Sequence, residues 1–335
     1  MTERLTDAVK EFLETCQGRE VSLKYLRDEL KINPNTPQWN SLRVLMGRLI
    51  EDRTVKPSGK NDGVYKVLLP IKPITRLDNE NETPLDFRFP RNYNEEESEF
   101  GFEDSLEVFP GDMILVTGRS NQGKTTMALS IMAENLGLMP AFLMGSEYTA
   151  ADGKISPKFV RRLKRMNWSN LLNDDGTFGF SLLPVGSDYE DYVEPDCLNI
   201  IDWISLNGEY YLIDGVMKKI KDRVGNGVAV VVLQKNKDAE FGEGGERTQR
   251  YADVELRIDS LGENESMLTI GKVKSPKGRA TGRTWAFSIT DYGANFSDIR
   301  EIVKCRNCWG KGWKKQGTTS IPCNFCSKTG YINKS

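Results

Sequence analysis

The stretch TGRSNQGKTT, residues 117–126, contains a glycine, four intervening residues, and then glycine, lysine and threonine. This is the G-x-x-x-x-G-K-[ST] pattern of a phosphate-binding loop. The apolar run before it, residues 113–116, suits a buried parallel strand, and residues 125–136 predict a helix after it. In a strand–loop–helix arrangement, backbone N–H groups at the start of the helix can cradle phosphates. The context therefore predicts a nucleotide site.

Most residues of this loop are expected to contact the nucleotide. Lys124 would reach the β- and γ-phosphates, and the Thr125 hydroxyl would hold Mg²⁺. ATP and Mg²⁺ are therefore the expected cofactors. The alternative is an ordinary glycine-rich turn with a solvated lysine. The expected binding residues are Gly118, Arg119, Ser120, Asn121, Gln122, Gly123, Lys124, Thr125 and Thr126.

Composition limits the class of protein. The chain has 335 residues, enough for two or more domains, and its 28% charged residues are typical of a globular protein in water. No apolar run approaches the roughly 18 residues that span a membrane, and MTERLTDAVK lacks the apolar core of a signal peptide. We therefore expect a cytoplasmic protein with no membrane partner. The chain contains no histidine, so a zinc site must use cysteines or carboxylates.

The net charge of −2 is unevenly distributed. Seven basic residues and no acidic ones follow position 303, whereas ten acidic and four basic residues occur between positions 71 and 105. Within the acidic stretch, PLDFRFP is apolar enough to dock on another surface, such as a neighbouring subunit. The sequence predicts four segments: a winged helix-turn-helix domain over 1–70, an acidic proline-containing linker over 71–105, an ATPase core over 106–303, and a four-cysteine zinc knuckle over 304–335.

The first segment has the pattern of a winged helix. Ser22 can cap a second helix, Pro37 suits the first turn of a third, and a Pro-Ser-Gly-Lys-Asn-Asp-Gly turn between two short strands would form the wing. In this family the third helix and the wing often contact DNA. The alternative is a protein–protein adaptor, so a protein partner stays open. The candidate DNA contacts are Gln38, Asn40, Arg43, Lys56 and Lys60.

The third segment alternates apolar strands with helical stretches, which indicates an α/β fold with a mainly parallel sheet and helices on both faces. The predicted strands cover residues 113–116, 140–144, 197–202, 228–233, 254–258, 267–273 and 284–289.

Short stretches within this segment resemble the RecA superfamily, most closely the ATPase domain of DnaB-type replicative helicases. SNQGKTT matches the nucleotide loop, AFLMGSEYTA the second strand, and LNIIDWISL the family's I-D-Y-L-x-L. VAVVVLQKNK matches the strand that ends in the glutamine of S-Q-L-N-R. YADVELRI and GKVKSPKGRATG match the D-A-D-V run and the K-x-R-N-G-x-x-G loop. The resemblance covers about 190 residues and implies a RecA-like P-loop core.

The resemblance also implies catalytic roles. Glu147 would polarise the attacking water, and Asp202 would hold Mg²⁺ through its water shell. Gln234 would sense the γ-phosphate and move the loop that follows it. Lys272 and Lys274 would reach across a subunit boundary to the neighbour's γ-phosphate, although Lys274 stands where arginine is usual.

The loop after Gln234, KNKDAEFGEGGERTQRY, lies where this family contacts single-stranded DNA. Lys235, Lys237, Arg247 and Arg250 could meet phosphates, although four acidic residues of the loop offset their charge. The implied function is an oligomeric DNA helicase or translocase in replication or recombination, assembled as a homo-oligomer such as a hexameric ring. The alternatives are a RadA-like recombination mediator or recombinase, and an ATP-gated winged-helix regulator without motor activity.

The tail contains two C-x-x-C pairs separated by 14 residues, and four thiolates at this spacing suit tetrahedral Zn²⁺. The ligands would be Cys305, Cys308, Cys323 and Cys326. An iron–sulfur cluster is the alternative.

The first pair continues as the C-x-x-C-x-G-x-G unit of DnaJ-type zinc domains, which it resembles. In the second pair Lys328 replaces the first glycine and Gly330 is kept. Four aromatic residues interleave with the basic ones, either to stack bases or to form a small core around the metal. They are Trp309, Trp313, Phe325 and Tyr331.

Overall fold

The structure is a computed structural model. It describes residues 2–59, 61–69, 82–94, 99–150, 152–206, 208–236, 239, 241–316 and 319–334. The chain divides into two compact units, Met1–Asp78 and Asn79–Ser335. Within the described ranges, every helix is too short or too polar to cross a membrane.

The first unit contains three helices and a three-stranded antiparallel sheet. The elements are α1 (Thr2–Thr15), β1 (Glu20–Ser22), α2 (Leu23–Glu29), α3 (Pro37–Glu51), β2 (Val55–Pro57) and β3 (Val64–Val67). The strand order is β1-β3-β2. Ser22 caps the second helix, because its Oγ accepts a hydrogen bond of 3.0 Å from the backbone N–H of Tyr25, and Pro37 begins the third helix. Both features agree with the sequence pattern.

The exposed face of α3 carries the candidate DNA contacts of this unit. Gln38, Asn40 and Arg43 are exposed, whereas Leu42 and Met46 of the same helix are buried. Lys56 is also exposed, and Lys60 lies outside the described residues. The described side chains among these candidates are therefore accessible, and the role of all five in binding stays a prediction.

The second unit is built on a ten-stranded sheet. Its strands are β4 (Met113–Gly118), β5 (Ala141–Met144), β6 (Ser181–Leu183), β7 (Leu198–Ile201), β8 (Val228–Gln234), β9 (Val254–Leu261), β10 (Glu265–Val273), β11 (Thr284–Thr290), β12 (Asn295–Lys304) and β15 (Tyr331–Asn333). Their order across the sheet is β15-β12-β11-β10-β9-β4-β8-β7-β5-β6. A separate hairpin is formed by β13 (Trp313–Gln316) and β14 (Thr319–Pro322). The helices are α4 (Lys124–Asn135), α5 (Pro157–Arg165) and α6 (Ile213–Arg223).

Six neighbouring strands, from β9 to β6 in the sheet order, pair in parallel. The predicted α/β class with a mainly parallel sheet is confirmed, and β4 lies between β8 and β9. The side chains of β4 and β7 are all buried, as expected for central strands covered on both faces.

The other four strands are antiparallel, which the alternation of strands and helices did not predict. Only residues 262–264 separate β9 from β10, and a parallel crossover needs a dozen or more residues. Short connections therefore force β9, β10, β11 and β12 into an antiparallel arrangement, and β15 returns along β12 after the four-cysteine segment.

The described part of the predicted linker belongs to the core, which corrects the linker assignment. Phe87, Phe89, Phe100 and Phe102 are buried and pack into the main hydrophobic cluster of the second unit. The backbone N–H of Leu85 donates to the carbonyl of Val108 at 2.8 Å. The surface on which PLDFRFP docks is therefore the chain's own sheet. Residues 70–81 and 95–98 of this stretch lie outside the described residues.

Candidate nucleotide site and cysteine cluster

Two glycines shape the phosphate loop. A Cβ at Gly118 would lie 2.5 Å from the carbonyl oxygen of Ile258 on the adjacent strand. Gly123 has φ +103°, and a Cβ there would lie 2.7 Å from Cδ1 of Ile289. Both positions therefore exclude a side chain, one by close strand packing and the other by backbone conformation as well.

Lys124 is the first residue of α4 and is buried beneath the loop. Its Nζ donates to the carbonyl of Arg119 at 2.7 Å, so the loop curls around the ammonium group. Burial lowers the pKa of Lys124, while the charges of Asp202, Glu147 and Glu243 act in the opposite direction. A phosphate oxygen can replace the carbonyl as the partner of this cation.

Asp202 follows β7 and is buried, with only 3% of its surface exposed. Its Oδ2 accepts a hydrogen bond of 2.5 Å from the hydroxyl of Tyr148, and the Thr125 side chain is a second partner. Burial raises the pKa of Asp202, and these two hydrogen bonds and the charge of Lys124 lower it. A buried carboxylate beside a hydroxyl offers the hard oxygen ligands that suit Mg²⁺, so the two residues fit the predicted metal site.

Glu147 lies in the short turn Ser146–Tyr148 that follows β5, and its side chain is exposed. The indole Nε1 of Trp203 donates to Glu147 Oε1 at 3.2 Å and holds the carboxylate. A Cβ at Gly145 would lie 2.2 Å from the carbonyl oxygen of Asp202. The glycine thus allows the ends of β5 and β7 to approach closely, which sets Glu147 beside Asp202.

Gln234 ends β8, directly beside the phosphate loop. Its Nε2 donates to Ser120 Oγ at 2.8 Å, and the backbone N–H of Lys235 donates to the carbonyl of Gly118 at 2.9 Å. Gln122 also has a partner, since the Ser266 hydroxyl donates to its Oε1 at 3.2 Å. The structure therefore brings together the residues predicted from the loop, Glu147, Asp202 and Gln234.

A cleft of about 250 Å³ opens over the start of α4, and sequence reasoning missed four of its residues: Arg162, Ile289, Tyr292 and Gly293. Arg162 of α5 lines it, and Tyr292, between β11 and β12, stands on its rim with 70% of its surface exposed. The Arg165 guanidinium lies 4.2 Å from the centre of the Tyr292 ring. No motif marks these positions, because the cleft forms only when α5 and the β11–β12 turn are brought together. The phosphate-loop residues in the cleft wall are Asn121, Gly123, Lys124, Thr125 and Thr126.

Lys272 and Lys274 lie beside the end of β4 that is opposite the chain's own phosphate loop. Val273 pairs with Val254, which pairs with Ile114 at the start of β4, whereas the loop follows the other end of that strand. With a rise of about 3.3 Å per residue, the four residues from Ile114 to Gly118 separate the two ends of β4 by about 13 Å. Lys272 Nζ donates to the carbonyl of Gln249 at 2.6 Å, and Lys274 Nζ donates to Asp253 Oδ1 at 2.7 Å.

The loop predicted to contact DNA offers fewer free cations than its sequence indicates. Lys235 is buried, with its Nζ 2.5 Å from Asp259 Oδ1, so it is not available to a phosphate. Arg250 lies 3.4 Å from a carboxylate oxygen of Asp214. Lys237 lies outside the described residues. Arg247 is exposed and lines a cavity of about 500 Å³ together with Arg250 and Lys272.

The four tail cysteines form one buried cluster of free thiols, with their sulfur atoms within 4.8 Å of one another. Sγ of Cys305 and Cys323 are 3.9 Å apart, and those of Cys308 and Cys326 are 3.6 Å apart. Tetrahedral zinc with Zn–S bonds of about 2.3 Å separates its sulfurs by about 3.8 Å. The donor set and its size therefore fit Zn²⁺.

The two knuckles have equivalent backbones despite their different sequences. The N–H of Gly312 donates to Cys308 Sγ and that of Gly330 to Cys326 Sγ, both at 3.3 Å. A Cβ on either glycine would lie 2.4 Å or less from a carbonyl oxygen of the other knuckle. Lys328, at φ +71°, adopts the conformation of Gly310, at φ +81°. The lysine therefore occupies a position that tolerates a side chain, and the second glycine is the one that packing requires.

Comparisons with known proteins add a distant likeness. No protein family's sequence profile matches the chain, and no curated protein matches it. Among solved structures, the chain is similar to a KaiC-like protein from the hyperthermophilic archaeon Pyrococcus horikoshii OT3, with a TM-score of 0.45 and 15% identity. The match covers 64% of this chain and 97% of the other. At this similarity, function has to be argued from the site itself.

Proposed function

We propose that the protein is a Mg²⁺-dependent ATPase of the RecA/DnaB type that acts on DNA as an oligomeric helicase or translocase. The observation that carries this proposal is the 2.8 Å hydrogen bond from Gln234 to Ser120. It connects the phosphate loop to the segment that continues into the proposed DNA loop. Nucleotide state and loop position are therefore coupled through a single side chain.

Binding of ATP uses the phosphate loop and the cleft above it. Backbone N–H groups at the start of α4 and the Lys124 ammonium bind the β- and γ-phosphates. The Thr125 hydroxyl and the Asp202 carboxylate hold Mg²⁺, which neutralises phosphate charge when bound. Tyr292, backed by Arg165, offers a flat exposed ring for the base.

Hydrolysis needs an oriented water and compensation of developing negative charge. Glu147 is exposed, its charge acts on Lys124, and Trp203 holds one of its carboxylate oxygens, so the other oxygen can accept a hydrogen bond from the attacking water. Arg162 lines the cleft that Lys124 also lines and adds a second cation there. These residues orient water and stabilise charge without a histidine.

The neighbouring subunit supplies the remaining cations. Lys272 and Lys274 lie too far from their own phosphate loop to reach it, so a role at the γ-phosphate requires a second chain. The ATP then lies between subunits, and the active form is a homo-oligomer. In the isolated chain both lysines are bonded to acceptors of their own subunit, which they would exchange on assembly.

The cysteine cluster holds one Zn²⁺ in a structural role. The four thiolates would fill the tetrahedral coordination of the ion, and β15 joins the end of the module to the main sheet through β12. Zinc binding therefore fixes the last strand of the core sheet.

The deciding experiment is ATPase activity with and without single-stranded DNA, together with the mass of the nucleotide-bound assembly and a strand-separation assay. A severalfold stimulation with strand separation is expected for a helicase. Stimulation without separation or movement along DNA would indicate a recombination mediator instead. ATPase activity that DNA leaves unchanged would instead indicate an ATP-gated regulator without motor activity.

A further inference from the structure

The aromatic residues of the four-cysteine module do not form its core. The side chains packed at its centre are the four cysteines and the half-buried Ile332. Trp309 is 81% exposed, Phe325 63% and Trp313 47%. Exposed rings of this size are costly in water and mark contact surfaces. The module therefore presents aromatic residues to a partner.

Cations accompany these rings. The segment from Lys304 to the end of the sequence has seven basic and no acidic residues. In the β13–β14 hairpin, Trp313 pairs with Pro322 and Lys315 with Ser320. Residues two apart on a strand share a face, so Trp313 and Lys315 project to the same side. The partner of this surface must offer flat faces that stack on aromatic rings and negative charges that pair with lysine and arginine.

A groove of about 820 Å³ extends the same surface onto the core at the base of the module. Its cations are Lys277, Arg279, Arg283, Lys304 and Lys334, against Asp104 and Glu301. Glu301 is already bonded to Arg283 at 2.9 Å and to Lys334 at 2.8 Å, so the groove keeps an excess of positive charge.

Lys304 joins the groove to the module. It lines the groove, and its aliphatic stem lies 3.3 Å from the Cβ position of Gly310, the residue after Trp309. Tyr331 pairs with Lys304 across β15 and β12 and lines the groove as well. The groove is therefore continuous with the knuckle that carries Trp309. We call the groove cations together with Trp309, Trp313, Phe325 and Tyr331 the tail surface.

We propose that the tail surface binds single-stranded nucleic acid, with phosphates in the groove and bases stacked on the exposed rings. A single strand carries both a regular row of anions and flat faces free to stack, whereas a duplex hides its base faces. The inference rests on the proposed function, because it names a second contact for the strand on which the ATPase acts. It also explains how the chain holds DNA although Lys235 of the predicted loop is buried in an ion pair.

The first test measures the affinity of the zinc-loaded full-length protein for fluorescein-labelled oligo(dT) without ATP. Stacking on one ring is worth about 1–3 kcal/mol, so Trp309→Ala and Phe325→Ala should each weaken binding about 5-fold or more. Trp309→Phe should restore most of the loss, since the ring remains. Tyr192→Ala is the control, because Tyr192 is an aromatic residue of the core with 45% exposure that lies away from the tail surface.

The second test measures the salt dependence of the same binding. Each phosphate contact on a single strand contributes about −0.7 to the slope of log K against log salt. The triple variant Lys277→Ala, Lys304→Ala, Lys315→Ala removes two groove cations and the lysine that shares a face with Trp313, and it should reduce the slope by about 2. Lys218→Ala is the matched control, since Lys218 is an exposed lysine of α6 paired with Asp222.

The arms of the experiment separate this inference from the proposed function. Lys124→Ala should bind oligo(dT) as the wild type does, even if it binds no ATP, and oligo(U) tests whether RNA is accepted equally. Unchanged affinity in the ring variants, or an unchanged slope in the lysine variant, with zinc content retained, overturns the proposal. Ring variants that alter only the mass of the assembly would assign the tail surface to protein contacts and overturn it as well.

Discussion

Gly145→Ala should slow ATP hydrolysis while leaving the phosphate loop unchanged. The added Cβ would lie 2.2 Å from the Asp202 carbonyl oxygen, whereas such contacts are not found below 3.0 Å. One of the two segments must therefore move by at least about 0.8 Å. Glu147 follows one segment and Asp202 the other, so their separation changes. A misplacement of about 1 Å can cost about 100-fold in rate, and we expect kcat to fall roughly 10- to 100-fold.

The assay compares steady-state ATPase rates with the affinity for a fluorescent nucleotide. Affinity should change little, since the phosphate loop is intact and only the relation of Glu147 to Asp202 is altered. Gly186→Ala is the control, because its Cβ would lie 3.7 Å from Ser146 Cβ, an ordinary contact beside the same turn. A thermal unfolding midpoint measured in parallel excludes simple loss of folded protein. Wild-type turnover in a folded Gly145→Ala protein would refute the proposed alignment.

Four further outcomes are expected. Lys124→Ala should abolish tight nucleotide binding, whereas Glu147→Gln should keep binding and lose hydrolysis, as binding and turnover assays will show. Metal analysis should find one Zn²⁺ per chain, and Cys308→Ser should lose it; an iron chromophore would contradict this. Lys274→Ala and Lys124→Ala proteins should each be inactive alone and should regain partial ATPase activity when mixed, because some interfaces then combine an intact phosphate loop with an intact Lys274. Mixed oligomers without recovered activity would contradict the role of Lys274 across the subunit boundary. Burial and Asp253 raise the pKa of Asp112 from 3.8 to about 6, so wild-type stability falls as pH rises through that window; Asp112→Asn should gain stability relative to wild type over the same range in urea unfolding.

The local parts of the nucleotide site could be predicted from the sequence. A glycine at φ +103° followed by lysine at a helix start is dictated by the loop itself, so its pattern is readable without the fold. Asp202 and Gln234 could be found because each ends an apolar run, and parallel strands bring such ends to one edge. The antiparallel half of the sheet does not follow from the alternation of strands and helices, and it depends instead on the short connections between β9, β10, β11 and β12.

Contacts between distant segments could not be read from the sequence. Lys235 looked like a free cation, yet Asp259, on another strand, neutralises it. The phenylalanines around PLDFRFP looked like a docking motif in a linker, yet they fill the core. In both cases the sequence correctly indicated the character of the side chains, cationic or apolar. The residues that they contact lie far away along the chain and are brought close only by the fold.

Two residues with proposed roles at the γ-phosphate hold the two ends of the proposed DNA loop. At its start Gln234 is bonded to Ser120 of the chain's own phosphate loop. At its end the carbonyl of Gln249 accepts from Lys272, and the Gln249 side chain donates to the buried Glu255 at 2.6 Å. If Lys272 acts on the neighbour's ATP, one end of the loop responds to the chain's own nucleotide and the other to the adjacent one. Such a loop can move in step with hydrolysis at two successive interfaces, which a translocating ring requires and a simple ATP-gated regulator does not.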